Sequence, residues 1–357
     1  MRRILHSQIQ KGEQLIKLLA DLDMSELTDI VISLGEPKYR AKQIMRHIVA
    51  YDSYDEYTDI PKAMIEKLRE SYADKALVEK TRAISSDGAV RYLFETVHGD
   101  LIEAVFLPHN YGNSVCVSCQ VGCGMGCVFC ASGYYGLQRN LSPGEILSQV
   151  LFIAREHKDN GGVKKVVMMG SGSPLANYDN TLKFTKLLTS DNGINIGMRQ
   201  LSISTCGIPD KIERLAKDGF SGTLSLSLHA PTDDKRKEIM RIAERYSVKE
   251  LVSALKKFFD ETKRRVVIEY ILIAGFNDTD GDISAIKSLL GGLCCHINLI
   301  PLNPTDHCDL KPTSRKRAYE FCNKLTSMGL SATVRRSMGS DAAGACGQLK
   351  NRTIEQK

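Results

Sequence analysis

CVSCQVGCGMGCVFC, running from Cys116 to Cys130, holds five of the chain's eleven cysteines in fifteen positions. Within it Cys123, Cys127 and Cys130 form a C-x3-C-x2-C triplet. Three thiols in so short a loop cannot be a disulfide framework, because three is odd. They can hold a metal centre, and thiolates select zinc or iron–sulfur clusters. Structural zinc takes four ligands, usually as paired C-x2-C units, and no second unit follows here. A [4Fe–4S] cluster usually has four cysteines. Three would leave one iron open to bind and reduce a substrate. Zinc, or thiols unrelated to any metal, remain the alternatives.

The chain has 357 residues, long for one domain but ordinary for an α/β barrel. With 43% apolar residues it can bury a large core. A net charge of +6 and a pI near 8.6 form a mild basic excess, compatible with nucleic acid. The opening MRRILHSQIQKGEQ lacks a signal peptide's apolar core and cleavage site, and no apolar run reaches membrane-spanning length. Many unpaired-looking cysteines then point to a reducing cytoplasm.

Residues 1–78 read as helical: GEQLIKLLADL, SELTDIVISLG, YRAKQIMRHIVAY and IPKAMIEKLRESY place apolar residues at helical spacing. The third carries Lys38, Arg40, Lys42, Arg46 and His47, either a solvated face or an RNA-backbone contact. Residues 79–110 alternate apolar and polar around Asp87-Gly88 and Gly99-Asp100 turns, a small antiparallel β-element. From 111 to 349, six strand candidates (SVCVSCQ, KKVVMMG, RQLSIST, GTLSLSLHA, RVVIEYILI, HINLIPLN) alternate with helices, followed by strand-like SATVRRS. The fold class is α/β. The expectation is an open partial (β/α)6 barrel with an N-terminal helical accessory domain, chemistry at the carboxyl ends of the strands, and a tail at 350–357.

Polar groups gather at those strand ends. Gly170 and Gly172 in MMGSGSPLANY would let a ligand approach the backbone closely, although ordinary β/α turns use glycine too. Ser204, the Ser227-Leu228-His229 run and Asn303 end later strands. Singly, a strand-end Ser or Asn reads as a loop cap, and His229 as a satisfied structural histidine.

Six ordered motifs carry a resemblance over nearly the whole chain: CVSCQVGCGMGCVFCASGYYGLQRNLSPGEI, VVMMGSGSPLANYDN, LSISTCGIPDKI, LSLSLHAPTDDKR, NLIPLNP and ACGQL. The chain resembles the RlmN/Cfr family of radical S-adenosylmethionine (SAM) RNA methylases, more nearly its C2-methylating branch. The resemblance implies a radical SAM barrel whose [4Fe–4S] cluster is held by Cys123, Cys127 and Cys130, and two SAM molecules per turnover. One SAM methylates Cys346. The other yields a 5′-deoxyadenosyl radical that takes hydrogen from that S-methyl group, and the resulting carbon radical adds to adenine. Cys116 then releases the RNA by forming a disulfide with Cys346. Glu103 stands where the family has a proton acceptor. Gly172, Ser173, Ser204, Ser227, Leu228, His229 and Asn303 stand where it contacts SAM. The implied substrates are 23S rRNA and tRNA beside the anticodon, with flavodoxin or ferredoxin as electron donor and a monomeric enzyme. Free of the resemblance, Cys116 and Cys346 read as small buried hydrophobes and Glu103 as a strand carboxylate paired with a lysine. Cys119, Cys206, Cys294, Cys295, Cys308 and Cys322 match no functional position.

Two departures stand out. The family's G-E-P glutamate, which accepts from the SAM amino group, is Ser173 here. The run before the reactive cysteine is Asp341-Ala342-Ala343-Gly344-Ala345, whose small side chains predict a loosely anchored loop. Two alternatives to C2 methylation therefore stay open: methylation at C8 of the same rRNA base, and a paralogue with reduced catalysis that binds RNA through its iron–sulfur fold.

Overall fold

The computed structural model describes residues 16–305 and 308–348. The expected tail and the start of the first expected helix lie outside them. Near the start of the described residues stand three α-helices, α1 (Met24–Ser33), α2 (Tyr39–Ala50) and α3 (Lys62–Ser71). Asp23 and Glu26 cap α1 reciprocally, each side chain accepting the other's backbone N–H. One face of α2 buries Ala41, Ile44, Met45 and Ile48, the spacing its sequence gave. Its polar face is largely engaged within the protein. Arg40 donates to the Asp59 carbonyl, Arg46 pairs with Asp59 at 2.5 Å, and His47 lies between Asp52 and Asp59.

Strands β1 (Leu77–Ile84), β2 (Val90–Thr96) and β3 (Leu101–Leu107) form the antiparallel meander, and β3 pairs antiparallel with β4 (Ser114–Cys116). The expected strand SVCVSCQ stops at Cys116. Gln149 takes over the next backbone groups, accepting from the Ser118 N–H at 2.9 Å and donating to its C=O at 2.9 Å. The chain resumes as β5 (Gln120–Gly122), paired antiparallel with β6 (Leu137–Asn140), so a small hairpin closes the base of the cysteine loop.

The β/α alternation then runs as expected: α4 (Pro143–Glu156), β7 (Lys165–Met168), α5 (Tyr178–Thr189), β8 (Leu201–Thr205), α6 (Pro209–Lys217) and β9 (Thr223–Ser227). A short helix that the sequence reading lacked, α7 (Asp233–Ile239), precedes α8 (Val248–Thr262). The rest is β10 (Val266–Leu272), α9 (Asp280–Leu290), β11 (Cys295–Pro301), α10 (Arg315–Ser327) and β12 (Ala332–Val334). The sheet order is β12-β11-β10-β9-β8-β7-β4-β3-β2-β1, parallel from β12 to β4. Its edges, β12 and β1, do not pair, so the barrel is open. β12 falls in the strand-like SATVRRS and makes a seventh parallel strand beside the six strand candidates.

The expected helix in GEQLIKLLADL is corrected over its described part. Lys17–Leu18 pairs with Tyr72–Ala73, and Leu19–Asp21 makes a single 3-10 turn. Leu18, Leu19 and Ala20 are consecutive and all buried, a pattern for a wedge rather than one helix face. The wedge sits on α4 because Gly144 has no side chain: a Cβ there would stand 2.7 Å from the Asp21 nitrogen. The Gly144 N–H donates to Asp21 at 2.6 Å.

One large apolar core runs between the sheet and its helices. A second cluster, including Phe129, Ile239, Met240 and Ile271, lies under the cysteine loop. No helix among the described residues is long and apolar enough to cross a membrane.

Candidate active site

The loop from Cys123 to Gly136 hangs from the β5–β6 hairpin, with the Cys123 N–H on the Gly136 carbonyl at 3.0 Å. Its far side rests on the end of α7: Val128 N–H donates to Ile239, and Cys127 bridges Met240. Burial pushes all three thiols of Cys123, Cys127 and Cys130 up. The charges of Cys130, Cys206 and Cys123 add to this at Cys127. Thiols so placed ionise only against a cation or metal centre. Among the described residues no three His, Cys, Asp or Glu side chains converge on a point where a single ion could sit. Structural zinc needs four ligands around one such point. In an iron–sulfur cube each thiolate binds a different iron, so its ligands stand wider apart. Three part-buried, mutually interacting thiols, two of them packed on the apolar cluster that includes Phe129 and Met240, are a donor set that fits such a cube.

The strand ends above the loop carry the other expected residues. Ser173 is buried, its N–H donating to Gln120 at 2.8 Å and its hydroxyl 3.5 Å from the Cys206 sulfur. Gly172 has φ +103°, and a Cβ there would lie 2.6 Å from the Gln120 Cβ. At Gly170 it would lie 2.7 Å from the Ser118 hydroxyl. A side chain at either position would collide with the protein, so glycine is required there. The Ser204 and Ser227 hydroxyls are 3.4 Å apart. Leu228 is fully buried in the core. His229 sits at φ 60° with its Nδ1 accepting the Ile271 N–H at 3.0 Å, which leaves the ring proton on Nε2. Burial, then the nearby Arg236, depresses its pKa to about 3. It is a neutral donor whose ring stands edge-on to Phe129, 4.9 Å away.

Cys116 and Cys346 line one cavity of about 1040 Å³, with Met169, Glu269, Asn303 and Arg335. Burial, then the charge of Cys346, pushes the Cys116 thiol up to about 12. Cys346 is open to the cavity, but its thiol lies deep in the molecule and is pushed up by burial too, while Arg335 opposes the rise. Asn303 Nδ2 donates to the Cys346 carbonyl at 3.0 Å. The expectation of a loosely anchored loop is corrected. Asp341 accepts from the Ser85 hydroxyl and from the Ser86 N–H, Gly339 N–H donates to Asp87 at 3.0 Å, and Ala131 N–H donates to Gly347 at 2.9 Å. The anchors are backbone groups and acids on both sides, which the small side chains did not reveal. Glu103 is buried against Arg91 at 2.6 Å, an arginine rather than the lysine of the structural reading. It lines a separate small pocket beside Ser132 and Tyr135.

Arg236 and Glu269 went unmarked by the sequence. Arg236 on α7 is fully buried, donating to the carbonyls of Leu228 (3.1 Å), Cys206 (2.5 Å) and Ser227 (3.3 Å), with Nη1 unpartnered. Glu269 is 2% exposed and its Oε2 has no partner. Burial raises its pKa, against which Arg335 acts. A lone acid or arginine in a strand or helix gives no sequence signal of such burial.

Residues 117–285 match the radical SAM superfamily, and residues 17–73 match the ribosomal RNA large subunit methyltransferase N-terminal domain. A probable dual-specificity RNA methyltransferase RlmN from Clostridium botulinum (strain Alaska E43 / Type E3) is 42% identical over 342 residues, 95% of this chain and 98% of the relative. The protein of the same description from Clostridium perfringens (strain 13 / Type A) is 42% identical over 345 residues, 96% and 99% of the two chains. The crystal structure of a radical SAM methyltransferase from Sphaerobacter thermophilus superposes with a TM-score of 0.91 at 40% identity, covering 94% of this chain and 99% of that one. On these grounds the chain belongs to the RlmN family of radical SAM RNA methyltransferases, enzymes that work with a [4Fe–4S] cluster and SAM.

Proposed function

We propose that this enzyme methylates C2 of an adenosine in 23S rRNA and in tRNA next to the anticodon, with Cys346 as methyl carrier and Cys116 as resolving thiol. The observation that carries the proposal is the single cavity lined by both cysteines, which the sequence separates by more than two hundred residues. A [4Fe–4S] cluster held by Cys123, Cys127 and Cys130 supplies, when bound, the electron that cleaves SAM. The chain's own groups do the rest. Gly172, Ser173, Ser204, Ser227, Leu228, His229 and Asn303 orient SAM, with His229 offering its Nε2–H. Asn303 also holds the Cys346 backbone, so SAM and methyl carrier share a positioning residue. Arg335 favours the thiolate of either cysteine against burial. Glu103, from the small pocket it lines, is the proposed acceptor of the proton displaced from adenine C2, and the odd electron of the adduct is handed back to the oxidised electron donor. Cys116 Sγ attacks Cys346 Sγ, the S–S bond forms as the S–C bond to the RNA breaks, and the released electron pair takes a proton at the new methyl carbon.

The residue 1–78 helical region, the 79–110 strands and the 111–349 barrel are proposed as accessory RNA-binding, connecting and catalytic parts. A reduced flavodoxin or ferredoxin is the proposed electron donor, and the proposed state is a monomer in the cytoplasm. Nucleoside mass spectrometry of rRNA and tRNA treated with the anaerobically reconstituted enzyme tests the reading. Product at 2-methyladenosine in both RNAs is expected; 8-methyladenosine, or no methylated base, overturns it. Cys346→Ala should abolish transfer, and Cys116→Ala should leave a covalent protein–RNA adduct on a denaturing gel.

A further inference from the structure

The mouth of the Cys116–Cys346 cavity carries an aromatic group that the mechanism does not use. Tyr111 lines the cavity and is 71% exposed. It does not stand alone. The His109 ring stacks on it with centroids 4.8 Å apart and 9° between planes. The Lys165 ammonium lies 4.2 Å from its centroid. Burial, then Lys165, lowers the His109 pKa, so the imidazole is neutral near pH 7 and the pair offers an uncharged stack. Arg199 and Arg336 line the same cavity. Among the described residues neither they nor Lys165 forms an ion pair, although twenty-one ion-pair contacts are made elsewhere. Cations without carboxylate partners in the cavity that an exposed ring lines are what single-stranded nucleic acid requires: phosphates meet the cations and a base meets the ring.

We propose that Tyr111, backed by His109, is a stacking platform for an unpaired RNA base next to the target adenosine, with Lys165, Arg199 and Arg336 meeting the adjoining phosphates. The proposal rests on the reading that RNA is the substrate. The target base has to reach Cys346 inside the cavity, so it must leave its own stack. Its neighbour is then left with an uncovered face at the rim, where Tyr111 stands. Lys165 stands over that ring, and an arriving base would displace it toward its own phosphate.

The test uses the full-length reconstituted protein and an anticodon stem-loop RNA carrying 2-aminopurine beside the target adenosine. Tyr111→Ala should weaken binding by roughly 5–150-fold, the range for one base–aromatic contact, and lose the change in 2-aminopurine fluorescence. Tyr111→Phe should bind like the parent, since the ring and not the hydroxyl stacks. The salt dependence of Tyr111→Ala should match the parent's, because an uncharged contact was lost. Cluster absorbance and melting temperature serve as folding controls. Parent-like binding by Tyr111→Ala, or a loss in Tyr111→Phe equal to that in Tyr111→Ala, overturns the platform while methylation by the parent keeps the function reading. A parent enzyme that neither binds nor methylates the RNA overturns both.

Discussion

Arg236→Met replaces a fully buried cation by an apolar side chain of similar length. The guanidinium bonds three carbonyls, those of Leu228, Cys206 and Ser227. All three become buried acceptors without donors. At about 1 kcal/mol each, less for the 3.3 Å bond to Ser227, the loss is roughly 2–3 kcal/mol. The opposing effect is desolvation. A buried cation costs several kcal/mol, and exchanging buried charges for apolar groups is often neutral or better. Nη1 has no partner, and among the described residues Arg236 forms no ion pair with a carboxylate, so this relief is real. The carbonyls decide the balance, because α7 ties them to the cysteine loop and they cannot turn to water. The Cys206 and Cys127 charges already act on Arg236 in the direction that favours its protonated form. Cluster binding turns Cys127 into a permanent thiolate, so the loss should be larger in the reconstituted protein than in the apoprotein. The assay is anaerobic urea unfolding followed by circular dichroism, with Arg236→Met beside the parent in both forms. An apo midpoint equal to or above the parent's would mean that desolvation outweighs the three bonds, and the reasoning fails.

Ser173→Glu restores a charged acceptor near the expected SAM amino group. A charge-assisted bond exceeds a neutral one by about 1–2 kcal/mol, so SAM should bind some tenfold tighter by anaerobic calorimetry, and equal or weaker binding sinks the idea. The same variant buries a carboxylate beside Cys206, so its apoprotein should melt lower than the parent. Cys116, with its thiol pushed up to about 12, holds roughly a thousandfold less thiolate at pH 8 than an unperturbed thiol. Iodoacetamide should label it at least a hundredfold more slowly than exposed Cys294, as followed by peptide mass spectrometry, and similar rates contradict the buried site. His229 is depressed from 6.5 to about 3, so its folded form refuses a proton that the unfolded chain accepts. Its contribution is fully present above pH 6.5 and is lost as pH falls toward 3, by up to about 1.4 kcal/mol per unit. His229→Gln should flatten the acid limb of the stability curve, and an unchanged limb speaks against a buried neutral ring.

The cysteine triplet was legible because cluster ligation is local. C-x3-C-x2-C fixes three thiols on one short loop whatever surrounds it. The β/α alternation was legible for a similar reason, since apolar periodicity reports the face each segment buries. Periodicity failed at Leu18, Leu19 and Ala20, where a run of consecutive apolar residues became a wedge on α4. The decisive partner there was Gly144, 123 positions away. The loop at Asp341 misled for the same reason: its anchors are Ser85, Ser86 and Asp87, which only the fold brings near. By itself the sequence determined the family, the thiol triplet and the order of strands and helices. Tertiary structure decided which lone residues matter: Cys116 with Cys346 on one cavity wall, Arg236 and Glu269 buried without full partners, Tyr111 standing out at the rim. The physical reason is that spacing and periodicity are properties of a segment. Desolvation, counter-charge and exposure depend on everything packed around a residue, and a single sequence does not carry them.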